Sequence, residues 1–127
     1  MDNQKPQHIH IEVDSEFVPD QSNMSQQRFV FAYHVTIKND GDSPAQLLSR
    51  HWVITDGNER VQEVRGEGVI GEQPTIRPGE RFEYTSGAVL ETPVGSMHGT
   101  YEMIDASGEM FHAQIPIFTL ASPNAIN

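Results

Sequence analysis

Gly66-Glu67-Gly68-Val69-Ile70-Gly71-Glu72-Gln73-Pro74-Thr75-Ile76-Arg77-Pro78-Gly79 decides the fold class. Its first six residues match the G-x-G-x-x-G pattern of dinucleotide-binding loops. That pattern works when it follows a strand and opens a helix, whose N-terminal N–H groups and positive dipole end receive a pyrophosphate. No helix can open here. Two prolines and a further glycine follow within eight residues, and proline removes an amide donor and clashes with the preceding turn. The α/β reading fails, and the glycines belong to a loop between strands.

On either side of this loop the dominant period is two. Ile9, Ile11 and Val13 alternate with His8, His10, Glu12 and Asp14, a strand with one buried face. Arg28 to Lys38 gives the strongest strand signal: Phe29, Phe31, Tyr33, Val35 and Ile37 share one face, and Val30, Ala32, His34 and Thr36 the other. Such β-branched and aromatic density suits a central strand. After the turn Asn39-Asp40-Gly41-Asp42, a strand is expected over Ala45–Thr55 with Leu48, Trp52 and Ile54 on one face. Shorter strands are expected over Glu59–Arg65 and Arg81–Ser86, with a chain break at Thr92-Pro93-Val94-Gly95. His98–Ile104 and Met110–Leu120 form a last hairpin across Asp105-Ala106-Ser107-Gly108. About seven to nine short antiparallel strands with turn signals between them describe an all-β, immunoglobulin-like or fibronectin type III-like β-sandwich. Pro116 cannot donate to a ladder, so the last strand is expected at an edge or a bulge. Trp52 is the expected core aromatic and Tyr101 stands where a tyrosine corner would be.

The 127 residues make one domain, with a core over about 8–120 and fraying expected in the tail from Ala121. No cysteine is present, which excludes disulfide and thiolate chemistry. The start of the chain has no apolar run of a signal peptide, and none approaches the ~20 residues that span a bilayer; a cytoplasmic protein without membrane association is expected. Eighteen acidic against eight basic residues give a formal charge of −10. That field repels nucleic acid and anionic membranes, and favours divalent cations or basic protein surfaces.

Several spaced segments together resemble the ApaG family. They are Ser49-Arg50-His51-Trp52-Val53-Ile54-Thr55-Asp56, the Gly66–Pro74 loop, Pro78-Gly79-Glu80, Tyr84-Thr85-Ser86-Gly87, Thr92 to Tyr101 and Ile115-Pro116-Ile117-Phe118. The resemblance runs from about His8 to Leu120. It implies a fibronectin type III-like sandwich in a bacterial protein associated with cobalt tolerance and magnesium efflux, often encoded beside a diadenosine tetraphosphate hydrolase. Related domains in eukaryotic F-box proteins and in a protein that binds DNA polymerase delta look like protein-interaction modules. The resemblance therefore implies a non-enzymatic module with a protein partner.

Four groups of residues are candidates for that work. Gly66, Gly68 and Gly71 could hold an anion such as pyrophosphate or a nucleotide in a nest of amides, with Arg65, Arg77 and Arg81 nearby; the alternative is a tight crossover in which side chains would clash. His8, His10 and Glu12, with Asp14, point the same way and suit cobalt, nickel or zinc, provided side chains about 6.5–7 Å apart converge. Phe118 and Leu120, beyond Pro116, are expected to be partly exposed and to serve as an interface for a partner or for a homodimer. Ser49, His51 and Asp56 can be written as a triad, but only convergence in space would give it meaning, and no enzyme is expected. Arg50 is expected to lay its stem on the sheet and pair its head with a carboxylate.

Overall fold

The computed structural model describes residues 8–123. Met1–Gln7 and Asn124–Asn127, the latter part of the tail for which fraying is expected, lie outside the described residues. Eight strands form in chain order: β1 (Ile9–Phe17), β2 (Phe29–Asn39), β3 (Ala45–Asp56), β4 (Val61–Glu67), β5 (Thr75–Ile76), β6 (Arg81–Leu90), β7 (Val94–Asp105) and β8 (Met110–Ala121). Two short 3₁₀ turns, Pro19–Gln21 and Met24–Gln26, connect β1 to β2.

The strands build a β-sandwich of two antiparallel sheets. The smaller is ordered β1-β2-β6, and the larger β4-β3-β7-β8 with β5 pairing the start of β3. The alternation along β2 holds from Phe31 onward, while Val30 on the other face is also buried. Phe31, Val35 and Ile37 are wholly buried, with Phe29 and Tyr33 nearly so. Trp52 is buried at the centre of the core, its ring 5.3 Å from Tyr33 of the facing sheet, 6.4 Å from Tyr101 and 5.9 Å from Phe118. Such edge-on aromatic contacts add about 0.5–1.5 kcal/mol each beyond area burial.

Three expectations are corrected by backbone irregularities and close approaches. A bulge between Leu47 and Ser49 inserts a residue, so Leu47 is wholly buried while Leu48 is not. A strand period of two survives only where the ladder is continuous. Val94 and Gly95, read as part of a chain break, lie inside β7, and that strand runs close against β3 at Gly95 and at Gly99. A Cβ on Gly95 would stand 2.5 Å from the Thr55 oxygen, and one on Gly99 2.1 Å from the His51 oxygen. Tyr101 does not form the corner seen in antibody-like domains; its hydroxyl meets that of Tyr84 across the buried interior. The tail also holds on further than expected, since Ser122 is buried and its N–H bonds the Pro93 oxygen at 2.9 Å.

Pro116 stands where its chemistry requires. β8 is the outer strand of its sheet, and the register slips between Met97 and Gly99, opposite Phe118 and Ile115. β8 is nevertheless flanked by the facing sheet, for Ser15 Oγ of β1 donates to the Thr119 oxygen at 2.9 Å. At the opposite side the smaller sheet runs out at β6. β4 overhangs there, with Val64 half-exposed and Gln62 exposed on its inward side, opposite buried Trp52 and Ile54.

Candidate functional site

The register of the larger sheet sets outward-facing side chains in rows across four strands. One row is Glu67 (β4), Ser49 (β3), Glu102 (β7) and His112 (β8); the next is Arg65, His51, Thr100 and Gln114; a third begins Glu63, Val53 and His98. Directly opposed residues share a face and touch. The small side chains of Ser49 and Thr100 sit between long ones, and the surface dips there into an open concavity of about 540 Å³ lined by both of the first two rows except Gln114, together with Gly66 and Arg50. Half of the chain's six histidines lie on this one face.

Ion pairs and hydrogen bonds fix the side chains. His51 Nε2 bonds Glu63 Oε1 at 2.8 Å, and Arg65 Nη2 donates to the same oxygen at 3.2 Å. The bond from His51, supported by the charge of Arg65, holds the Glu63 carboxyl below the usual carboxylate range, which makes it a poor proton acceptor. Ser49 Oγ donates to Glu102 Oε1 at 3.2 Å. Beneath the concavity, Arg50 shares its inward face with Trp52 and Tyr101. Its guanidinium donates to the oxygens of Glu67 (3.1 Å) and Gly68 (2.8 Å). Its partners are backbone carbonyls rather than the expected carboxylate.

That guanidinium explains one of the glycines. A Cβ on Gly66 would fall 2.8 Å from the Arg50 guanidinium, so Gly66 is the flat bed on which the arginine lies. Gly68 (φ 65°) would clash with the Glu72 oxygen at 2.3 Å, and Gly71 (φ 80°) completes a two-residue turn between Val69 and Glu72. The amides of Gly68, Val69 and Glu72 are bonded to the oxygens of Leu48, Glu72 and Val69. These glycines therefore serve a tight crossover, and the loop offers no continuous nest. Of the three, Gly66 alone lines the concavity.

The other expected sites are placed differently. On β1, His10 and Glu12 meet at 2.9 Å. His8 does not join them, and among the described residues no group of three or more His, Asp or Glu is arranged to hold a metal ion. The expected exposure of Leu120 is corrected: it is wholly buried. Phe118 is half-buried against Tyr33 and Trp52. The residue slip at Pro116 makes Ile117, 68% exposed, the outward apolar residue of β8 instead. Ser49 and His51 share a face, but each bonds a different glutamate, and Asp56 Oδ1 binds the amides of Asn58 and Arg60 in its own turn. His34 is held by Thr85 (2.8 Å) and Glu83 (2.9 Å) on the outer face of the smaller sheet. The Glu67–Ser49–Glu102–His112 row escapes sequence reasoning because it depends on the cross-strand registers of four strands.

No helix among the described residues is long and apolar enough to cross a membrane. The family model for the ApaG domain matches residues 19–105. The chain is 56% identical over 122 residues to a protein ApaG of Acidithiobacillus ferrooxidans, covering 96% of each. It is 58% identical over 119 residues to that of Aromatoleum aromaticum, covering 94% of each. A crystal structure of an ApaA protein from Bordetella pertussis superposes with a TM-score of 0.91 at 55% identity, over 94% of this chain and 98% of that one.

Proposed function

The chain belongs to the ApaG domain family, and on that premise we propose that it is a non-enzymatic binding module that holds a protein partner on the outer face of its larger sheet, in a pathway linked to cobalt and magnesium homeostasis. The observation that carries this reading is the open concavity around Ser49 and Thr100, rimmed by Glu67, Glu102, Arg65, His51 and His112. Both signs of charge and several hydrogen-bonding groups are presented on rigid strands and left open to water. Such a surface recognises a polar protein face by complementarity. It does not exclude water as electrostatic stabilisation of a reaction requires, and its His51 and Arg65 are already engaged by the neighbouring Glu63 carboxylate.

A photo-reactive amino acid at Thr100 should cross-link one partner in living cells, with no such adduct from Thr36 on the opposite sheet. Gly66 beside Arg65 favours a second reading, a small anionic ligand. A thermal-shift panel of cobalt, nickel, zinc, magnesium, pyrophosphate, ATP and diadenosine tetraphosphate separates the two. Selective binding adds about 2.7 kcal/mol of stability at a hundredfold excess over Kd. A selective rise in Tm with no adduct at Thr100 overturns the partner reading; a flat panel with an adduct supports it.

A further inference from the structure

The free edge of β6 carries the inference. Val30 of β2 directs its N–H to Ser22 Oγ (2.9 Å) and receives the Val18 N–H on its oxygen (2.8 Å). Both groups point away from β6, so Val30 and its partner Val89 share no ladder bonds. Antiparallel ladders alternate bonded and non-bonded pairs. The backbone groups of Arg81, Glu83, Thr85, Gly87 and Val89 therefore aim outward from the sheet. Among the described residues no strand pairs with them.

The space beside this edge has a roof. β4 overhangs it and turns Val64 and Gln62 down towards it, and a groove lined by Ile54, Gln62, Val89 and Leu90 enters it at one end. Unsatisfied strand edges take up extended peptides. Val64 in that roof, half-buried and packed against the core, offers such a peptide an apolar contact. A second copy would bring the same −10 charge and be repelled, so the segment belongs to another protein.

We propose that β6 receives one extended segment of a partner protein as a fourth strand of the smaller sheet. Its alternate side chains are apolar and seat against Val64, and its outward ones include lysine or arginine. The charge follows from the −10 balance of the chain; Glu83 and Glu91 at the edge are already paired with His34 and Arg60. The proposal rests on the reading of the chain as a protein-binding module and adds where and how a segment of that partner seats.

The probe is a capped synthetic peptide with the sequence of residues 81–91, which is self-complementary in antiparallel pairing about Ser86. In that register the peptide's Phe82 opposes Leu90, its Tyr84 opposes Ala88 and its Arg81 opposes Glu91. Titrated into the whole 15N-labelled protein, it should shift the amides of Glu83, Thr85, Gly87 and Val64 and slow their hydrogen exchange. Thr85→Pro removes an edge-directed N–H that no β2 residue uses, a position where proline is tolerated, and should abolish the effect while the remaining spectrum keeps its native dispersion. Val64→Lys, which leaves β6 intact, should do the same by charging the roof. Unmoved β6 amides overturn the proposal, as does equal binding by both variants. Protection of these amides that grows with protein concentration alone, marking a second copy, also overturns it. A cross-link at Thr100 with unmoved β6 amides sinks this proposal alone, and leaves the broader reading standing.

Discussion

Gly99 and Gly71 resist a side chain for different reasons, and their substitution should separate two costs of a methyl group. At Gly99 the added carbon would meet the backbone of β3, 2.1 Å from the His51 oxygen and 3.2 Å from the Trp52 Cα. Neither atom can rotate away, so Gly99→Ala should cost about 3 kcal/mol or more in chemical denaturation. At Gly71 the space is open and only the left-handed backbone (φ 80°) objects, so Gly71→Ala should cost about 1–2 kcal/mol. Equal costs would show that β7 and β3 can part, and would undermine the account of their close crossing. The motif that dominates the sequence thus contains the cheaper glycine, while the dearer one stands in a stretch that reads as ordinary strand.

At the scale of elements, Asn39 ties four of them together. It is buried at the end of β2. Its Nδ2 donates to the oxygens of Ser43 and Ile76, each at 2.8 Å, and its Oδ1 accepts the Gly41 N–H at 2.8 Å. Its own N–H and C=O bond Glu80 and Gly79. Asn39→Ala leaves the Ile76 oxygen buried without this donor and frees the partly buried Ser43 oxygen and Gly41 N–H; it should cost about 2–3 kcal/mol, with local exchange rising first in β5 and the β5–β6 turn. A uniform rise over both sheets instead would contradict that local role. The strands of this fold were legible wherever the alternation was unbroken, as from Phe29 to Ile37. The phase before Ser49 was not: Trp52 and Ile54 face inward as their alternation implies, but Leu47 takes the place expected of Leu48, because a bulge leaves no mark in composition. Nor was the outward row through Ser49 and Glu102, which needs the registers of β3 with β4 and β7. The burial of Leu120 turned on the slip at Pro116: the proline signalled an edge or bulge, but not which of the following residues would face in.

Across the whole molecule, the three tyrosines of the chain set an alkaline limit. Tyr33, Tyr84 and Tyr101 are all held above the usual tyrosine range, chiefly by burial. Tyr101 is raised further by its neighbour Tyr84, and the Arg50 charge opposes the shift in each. Raised folded-state values favour the neutral phenol in the sandwich. Their stabilising contribution is complete below the unfolded value of about 10 and is lost as pH climbs through the folded values. Tyrosinate absorbance should thus appear together with cooperative unfolding above pH ~10, not ahead of it as for exposed phenols. Early ionisation of even one tyrosine in the folded protein would contradict this. Tyr101→Phe should leave the Tyr84 hydroxyl without its partner and cost about 1–2 kcal/mol at neutral pH.

The ring packing at the centre of the sandwich has an optical consequence. The one tryptophan of the chain touches Tyr33 from the smaller sheet and Tyr101 and Phe118 from the larger. Its fluorescence therefore reports whether the two sheets are together, and nothing else. Native emission should be blue-shifted and fed by energy transfer from the adjacent phenol, and both features should vanish in one step when the sheets separate. An added strand at β6 or a partner on the outer face should leave it dark to the event, so that one cuvette distinguishes a ligand that docks from one that unfolds.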